Sequence, residues 1–119
     1  MVPYLQKRMK SFANALQGVA FLISSQPHAR IHLVSTLTVI AGALFLNLEG
    51  LEWCLLIVAI MAVWVAEGMN TALEALADAV CPEHHPLVGR AKDVAAAAVL
   101  FAALGAVIIG LLVFGRHVL

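Results

Sequence analysis

LEWCLLIVAIMAVWVAEGMNTALEALADAV, residues 51–80, decides the fold. Its first half, from Trp53 to Ala66, carries no charge and has the length and apolarity of a segment buried in hydrocarbon. Its second half continues at helical spacing through Glu67, Asn70, Glu74 and Asp78 to Val80. At about 100° per residue Asn70, Glu74 and Asp78 lie within roughly 60° of Glu67 on the helix circumference. Glu67 and Glu74 stand two turns apart, about 10 Å along the axis. The segment therefore reads as one helix that crosses a membrane and leaves it along a carboxylate stripe.

The rest of the chain agrees with a membrane setting. Of 119 residues, 63% are hydrophobic and only 12% charged, whereas a soluble domain carries about 25% charge. Such a chain cannot cover a water-facing surface, and its apolar content excludes intrinsic disorder. Seven Lys/Arg balance seven Asp/Glu, which leaves no basic surplus for a nucleic-acid partner. Ile31–Leu48 and Val94–Gly115 are two further spans (31–48 and 94–115 beside 51–80). Residues 4–25 place Phe12, Leu16, Val19 and Ile23 at helical spacing among Lys7, Arg8, Lys10, Asn14 and Gln17, the pattern of an amphipathic helix on a membrane surface or on the protein's own polar end. Pro27 stops or kinks that helix. No secretory signal is legible, and Met1 reads as the start of the mature chain. The expected fold is an all-α membrane helix bundle in one domain, with three transmembrane helices and one surface helix.

Orientation follows from the cations. With the N-terminus inside, Lys7, Arg8, Lys10, Arg30, Arg90 and Lys92 lie on the cytoplasmic side and only Arg116 outside. The 81–93 connector is then cytoplasmic. Gly42, Gly105 and Gly110 read as sites of close helix contact. His28 and His32 read as interfacial or capping residues, and His84-His85 lacks a third ligand for zinc. Two isolated cysteines, Cys54 and Cys81, suggest neither disulfides nor a metal ribbon.

The stripe carries the chemistry. An Asp at the bilayer centre costs about 2.5–3.5 kcal/mol on insertion scales, so two spaced carboxylates there need a reason. One reason is structural: they pair with Arg30, Arg90 or Lys92. Another is functional: carboxylates at an interface hold Mg²⁺ or take the proton of a lipid hydroxyl. Glu83-His84-His85 and Arg90-Ala91-Lys92-Asp93 add donors and cations suited to phosphates. Spacing alone leads to a metal- or proton-handling site at the cytoplasmic end of a bundle.

Glu67-x-x-Asn70-Thr-Ala-x-Glu74-x-x-x-Asp78, with His85-x-Leu87 and Ala91-Lys92-Asp93 before an Ala-rich helix, resembles the prokaryotic diacylglycerol kinase family, which includes the undecaprenol kinases. Ser11-Phe12-x-x-Ala15-x-x-Gly18 and Arg30-Ile31-His32 stand at matching distances, and the likeness covers nearly the whole chain. The resemblance implies a homotrimer in the bacterial cytoplasmic (inner) membrane that moves the γ-phosphoryl group of ATP, with Mg²⁺, to a lipid alcohol. It implies Glu67 as general base, Asn70 as a positioning group in the catalytic site, and Glu74 as metal ligand. Glu83, His84, His85, Lys92 and Asp93 would hold the nucleotide, with Lys7 and Asn14 as weaker carry-overs near ATP. The second metal carboxylate of the family falls at Gln26, which keeps the oxygen but not the charge. Glu52-Trp53 and Arg30-Ile-His32 lean toward undecaprenol, Gly89-Arg90-Ala-Lys-Asp93 toward diacylglycerol. The competing class is a non-enzymatic oligomer, either a cation or proton conductor or a scaffold with a degenerate site.

Overall fold

The computed structural model describes residues 2–119; Met1 lies outside them. Four helices follow in order: α1 (Val2–Ser25), α2 (Pro27–Leu46), α3 (Gly50–Val80) and α4 (Pro86–Val118). The last three are long and apolar enough to cross a membrane.

The boundaries have local causes. Pro27 offers no N–H and fixes φ, so it cannot continue α1, yet it is pre-shaped for the first position of α2. It therefore ends one helix by starting the next. The Arg30 guanidinium covers the carbonyls left open at the α1 C-terminus, donating from Nε to Ile23 O at 3.1 Å and from Nη2 to Ser24 O at 2.6 Å. Asn47 turns the chain after α2 in the left-handed region, φ 53°, a conformation Asn tolerates better than most residues. Glu49 and Glu52 form a reciprocal capping box that opens α3, with the Glu49 N–H donating to Glu52 Oε1 at 3.1 Å.

Helix α4 begins at Pro86, earlier than the span 94–115 suggests. Pro86 occupies its first turn, and His85 caps it with Nδ1 accepting from Leu87 N at 3.2 Å. Residues 86–93, read from sequence as connector, are thus helical, and the true connector is residues 81–85. At 1.5 Å per residue α3 and α4 are each roughly 45–50 Å long, well beyond a hydrocarbon core of about 30 Å.

Helices α3 and α4 share most of the interhelical contact, and α2 packs more lightly on α3. Ala43, Leu48, Leu56 and Val113 form the small core near the α2–α3 turn, with Trp53, Ile60 and Phe114 packed around it. Helix α1 buries none of its residues. The described chain measures 51 × 47 × 21 Å. The second dimension exceeds what three neighbouring helices 8–10 Å apart require, so α1 projects sideways, as a helix lying along a membrane surface does. Backbone approach that only glycine would allow is not found at these glycines among the described residues. A Cβ at Gly105 or Gly110 meets nothing within 4 Å, and one at Gly42 meets Phe114 at an ordinary 3.5 Å.

Candidate active site

The side of α3 that packs inward is a regular series: Glu52, Leu56, Ala59, Val63, Glu67 and Thr71 are all buried. Steps of three and four residues keep them on one face. A carboxylate stands near each end.

Glu67 is 3% exposed. Its neighbour is His32 of α2, with Nε2 3.4 Å from Oε2. That is ion-pair reach, longer than the 2.7–3.2 Å of a formed hydrogen bond. No hydrogen bond to either Glu67 oxygen is found among the described residues. Beside it, Asn70 Oδ1 and Thr71 Oγ1 are buried without a partner. Thr36 and Thr38 of α2 each donate to the carbonyl four residues back, at 2.7 and 2.8 Å; Thr71 does not. Two polar atoms, Asn70 Oδ1 and Thr71 Oγ1, are therefore buried without a bond beside a Glu67 that has only the long contact to His32, a state that costs free energy until a ligand supplies partners. Trp64 Nε1 donates to Thr36 Oγ1 at 3.0 Å, which ties α3 to α2 one turn away.

Further along the stripe exposure rises. Glu74 is half-buried and Asp78 exposed. Lys92 Nζ of α4 donates to Asp78 Oδ1 at 2.6 Å. This is one of the structural pairings that the sequence allowed, and it fixes the α3–α4 spacing at the connector end. Arg30 is committed to the α1 carbonyls, so it does not neutralise the stripe. Glu83 is exposed; its Oε1 and backbone carbonyl receive the Cys81 thiol at 3.3 and 3.7 Å. The bond from the carboxylate pushes the Cys81 thiol up from its ordinary value, while its own backbone N–H and that thiol hold Glu83 below the usual carboxylate range. His84, His85 and Asp93 are exposed near the α4 N-terminus. Gln26 is half-buried at the α2 N-cap, where its amide makes no capping bond. Lys7 and Asn14 are exposed on α1, with no hydrogen bond or ion pair to the stripe.

A groove of about 430 Å³ opens among α2, α3 and α4 next to this cluster. His32, Ser35 and Thr36 form its polar end, and Val39, Ile60 and Val107 are among its apolar walls. Sequence reading missed two partners of the site. In sequence His32 reads as an interfacial or capping residue, and no local pattern pairs it with a glutamate on another helix. Thr71 stands inside the quoted stretch, four residues after Glu67, and that spacing was the available signal.

Fold and site together define a three-span helical membrane protein with an under-bonded carboxylate where its second span leaves the apolar region. Similarity gives the particular family. The family described as Prokaryotic diacylglycerol kinase matches residues 13–114. A diacylglycerol kinase of Synechocystis sp. is 41% identical over 84% of this chain, a match spanning 58% of that protein. An undecaprenol kinase of Bacillus subtilis is 33% identical over 92% of this chain and 89% of its own length. A diacylglycerol kinase of Escherichia coli K12 is 38% identical over 71% of this chain and 69% of its own. The chain belongs to the prokaryotic diacylglycerol kinase family, and by that membership is a membrane-bound, ATP-dependent lipid kinase.

Proposed function

We propose that the protein transfers the γ-phosphoryl group of ATP to the hydroxyl of diacylglycerol or undecaprenol at the cytoplasmic face of the bacterial inner membrane. The observation that carries this reading is Glu67: buried at 3% exposure, without a hydrogen bond among the described residues, and in contact with His32, which lines the polar end of an apolar groove. The lipid oxygen forms its bond to the γ-phosphorus as the bond to the β–γ bridging oxygen breaks. The hydroxyl proton goes to Glu67, and ADP leaves. Asn70, with its unpartnered Oδ1 three residues on, orients the reacting hydroxyl. Lys92 and the donors of His84 and His85 offset phosphate charge beside the α4 N-terminus, whose dipole favours anions. Glu83 and Asp93 complete the nucleotide-facing set.

The donor set suits Mg²⁺, a hard cation that takes one or two carboxylates and otherwise phosphate and water oxygens. Half-buried Glu74 and the uncapped amide of Gln26 are the groups to hold it. When bound, Mg²⁺ neutralises charge on the transferring phosphates.

Lys7 and Asn14 stand on a helix that points away from the stripe. Eighteen residues separate Lys7 from Ser25, roughly 27 Å. A homotrimer in which α1 of one protomer reaches the nucleotide of another accounts for both residues and for a site too open to enclose ATP alone. The conducting alternative is weaker, because Leu56, Ala59 and Val63 fill the buried face between Glu52 and Glu67 and offer a proton no carrier.

The deciding experiment is phosphate transfer from labelled ATP to each lipid alcohol by purified protein in vesicles. We expect a Mg²⁺-dependent product with at least one; none with either overturns the reading, and the better acceptor identifies the substrate.

A further inference from the structure

We propose that His32 is the positioning residue for the base: its Nε2–H holds Glu67 Oε2 so that the other carboxylate oxygen faces the lipid hydroxyl. This rests on the kinase reading and extends it to a residue on a different helix.

The argument is one of geometry and isolation. Glu67 is sealed on α3, and His32 is the charged or titratable side chain that meets it from α2, at 3.4 Å. The α4 residues facing this region, Ala103, Ala106 and Gly110, carry no titratable group. On α2, Arg30 is spent on the α1 carbonyls, and no ion pair involving His28 is found among the described residues. A buried carboxylate with four lone-pair directions and one neighbour is free to rotate unless that neighbour fixes it. A base must also be aimed, since proton transfer requires heavy atoms about 2.6–3.2 Å apart. His32 itself is placed by its helix. The Thr36 hydroxyl bonds the His32 carbonyl at 2.7 Å and receives Trp64 Nε1 at 3.0 Å, so α2 and α3 are pinned one turn from the pair. Half-exposed His32 also lines the groove, so it stands between the lipid's path and the base.

The contacting atom makes the test specific. Glutamine places its amide nitrogen about where Nε2 of histidine lies; asparagine reaches only to the level of Nδ1. Full-length protein in vesicles, with saturating lipid, is assayed as wild type, His32→Gln, His32→Asn and His32→Ala, each checked for wild-type thermal unfolding. His32→Ala and His32→Asn should lose about tenfold or more in kcat with KM for ATP within about twofold. His32→Gln should recover most of the loss. Equal kcat in the Gln and Asn variants, or losses confined to KM or to stability, overturn the inference while leaving an active kinase. A wild type that phosphorylates neither lipid overturns the kinase reading, and this inference with it.

Discussion

Glu52 and Glu67 lie on the same helix, on the same buried face, fifteen residues or roughly 22 Å apart, and both are nearly inaccessible, at 4% and 3%. Their surroundings differ completely. Glu52 accepts from His117 Nε2 at 2.8 and 3.0 Å, takes the Glu49 N–H at 3.1 Å, and has Arg116 at 3.8 Å. Every oxygen is occupied, and the result is a clasp between the first turn of α3 and the last of α4. Among the described residues Glu67 has one polar side-chain partner, His32, at 3.4 Å. Burial alone therefore says little about role. A buried carboxylate whose bonds are complete holds structure together, and one whose bonds are missing awaits a ligand.

Exchanging each for its amide separates the two roles. Glu67→Gln should lower phosphate transfer by about 10² or more, while the unfolding midpoint in detergent or vesicles stays put or rises, because a charge is removed from an under-bonded buried site. Glu52→Gln should do the reverse: a midpoint lower by roughly 5–10 °C, with kcat of the folded protein within about twofold. If Glu52→Gln abolishes transfer at unchanged stability, the comparison breaks. A smaller effect is expected at the metal. Gln26→Glu adds the charge this position lacks, and should reduce the Mg²⁺ needed for half-maximal activity several-fold; an unchanged Mg²⁺ titration removes Gln26 from the site.

The smallest effect lies in the connector, where a carboxylate is exposed rather than buried. Glu83 bonds the Cys81 thiol and raises its pKa, so less thiolate is present at pH 8 than for a free cysteine. Glu83→Gln should return the thiol toward its ordinary value and speed alkylation by iodoacetamide a few-fold at that pH. An unchanged rate means the bond does not persist in solution.

Much of this was legible in the sequence. The spans, the projecting amphipathic helix and the Glu67–Asp78 stripe all follow from periodicity and from the cost of charge in hydrocarbon, which are local properties. The stripe's gradient from buried Glu67 to exposed Asp78 follows as well. What the sequence hid was pairing at a distance. Glu52 and His117 are 65 positions apart, and Glu52 on its own reads as one more polar residue in a turn. His32 has the same difficulty with respect to Glu67. Pro27 shows another limit: it reads as the stop of α1, and it also starts α2, because the fixed φ that breaks an interior suits a first turn.

The two fastenings of α3 to α4 have a mechanical consequence. Glu52–His117 ties the pair at one end and Asp78–Lys92 at the other, which makes the two longest helices a braced strut. Helix α2, which runs between Pro27 and the left-handed Asn47, is held far more lightly, by Trp64–Thr36 and the loose His32–Glu67 contact. Displacement of one helix against the others is therefore easiest at α2, and α1 would travel with it because Arg30 grips its end. The amphipathic arm and the lightly held span are therefore one mechanical unit, joined at Pro27 through Arg30 and set against a rigid pair.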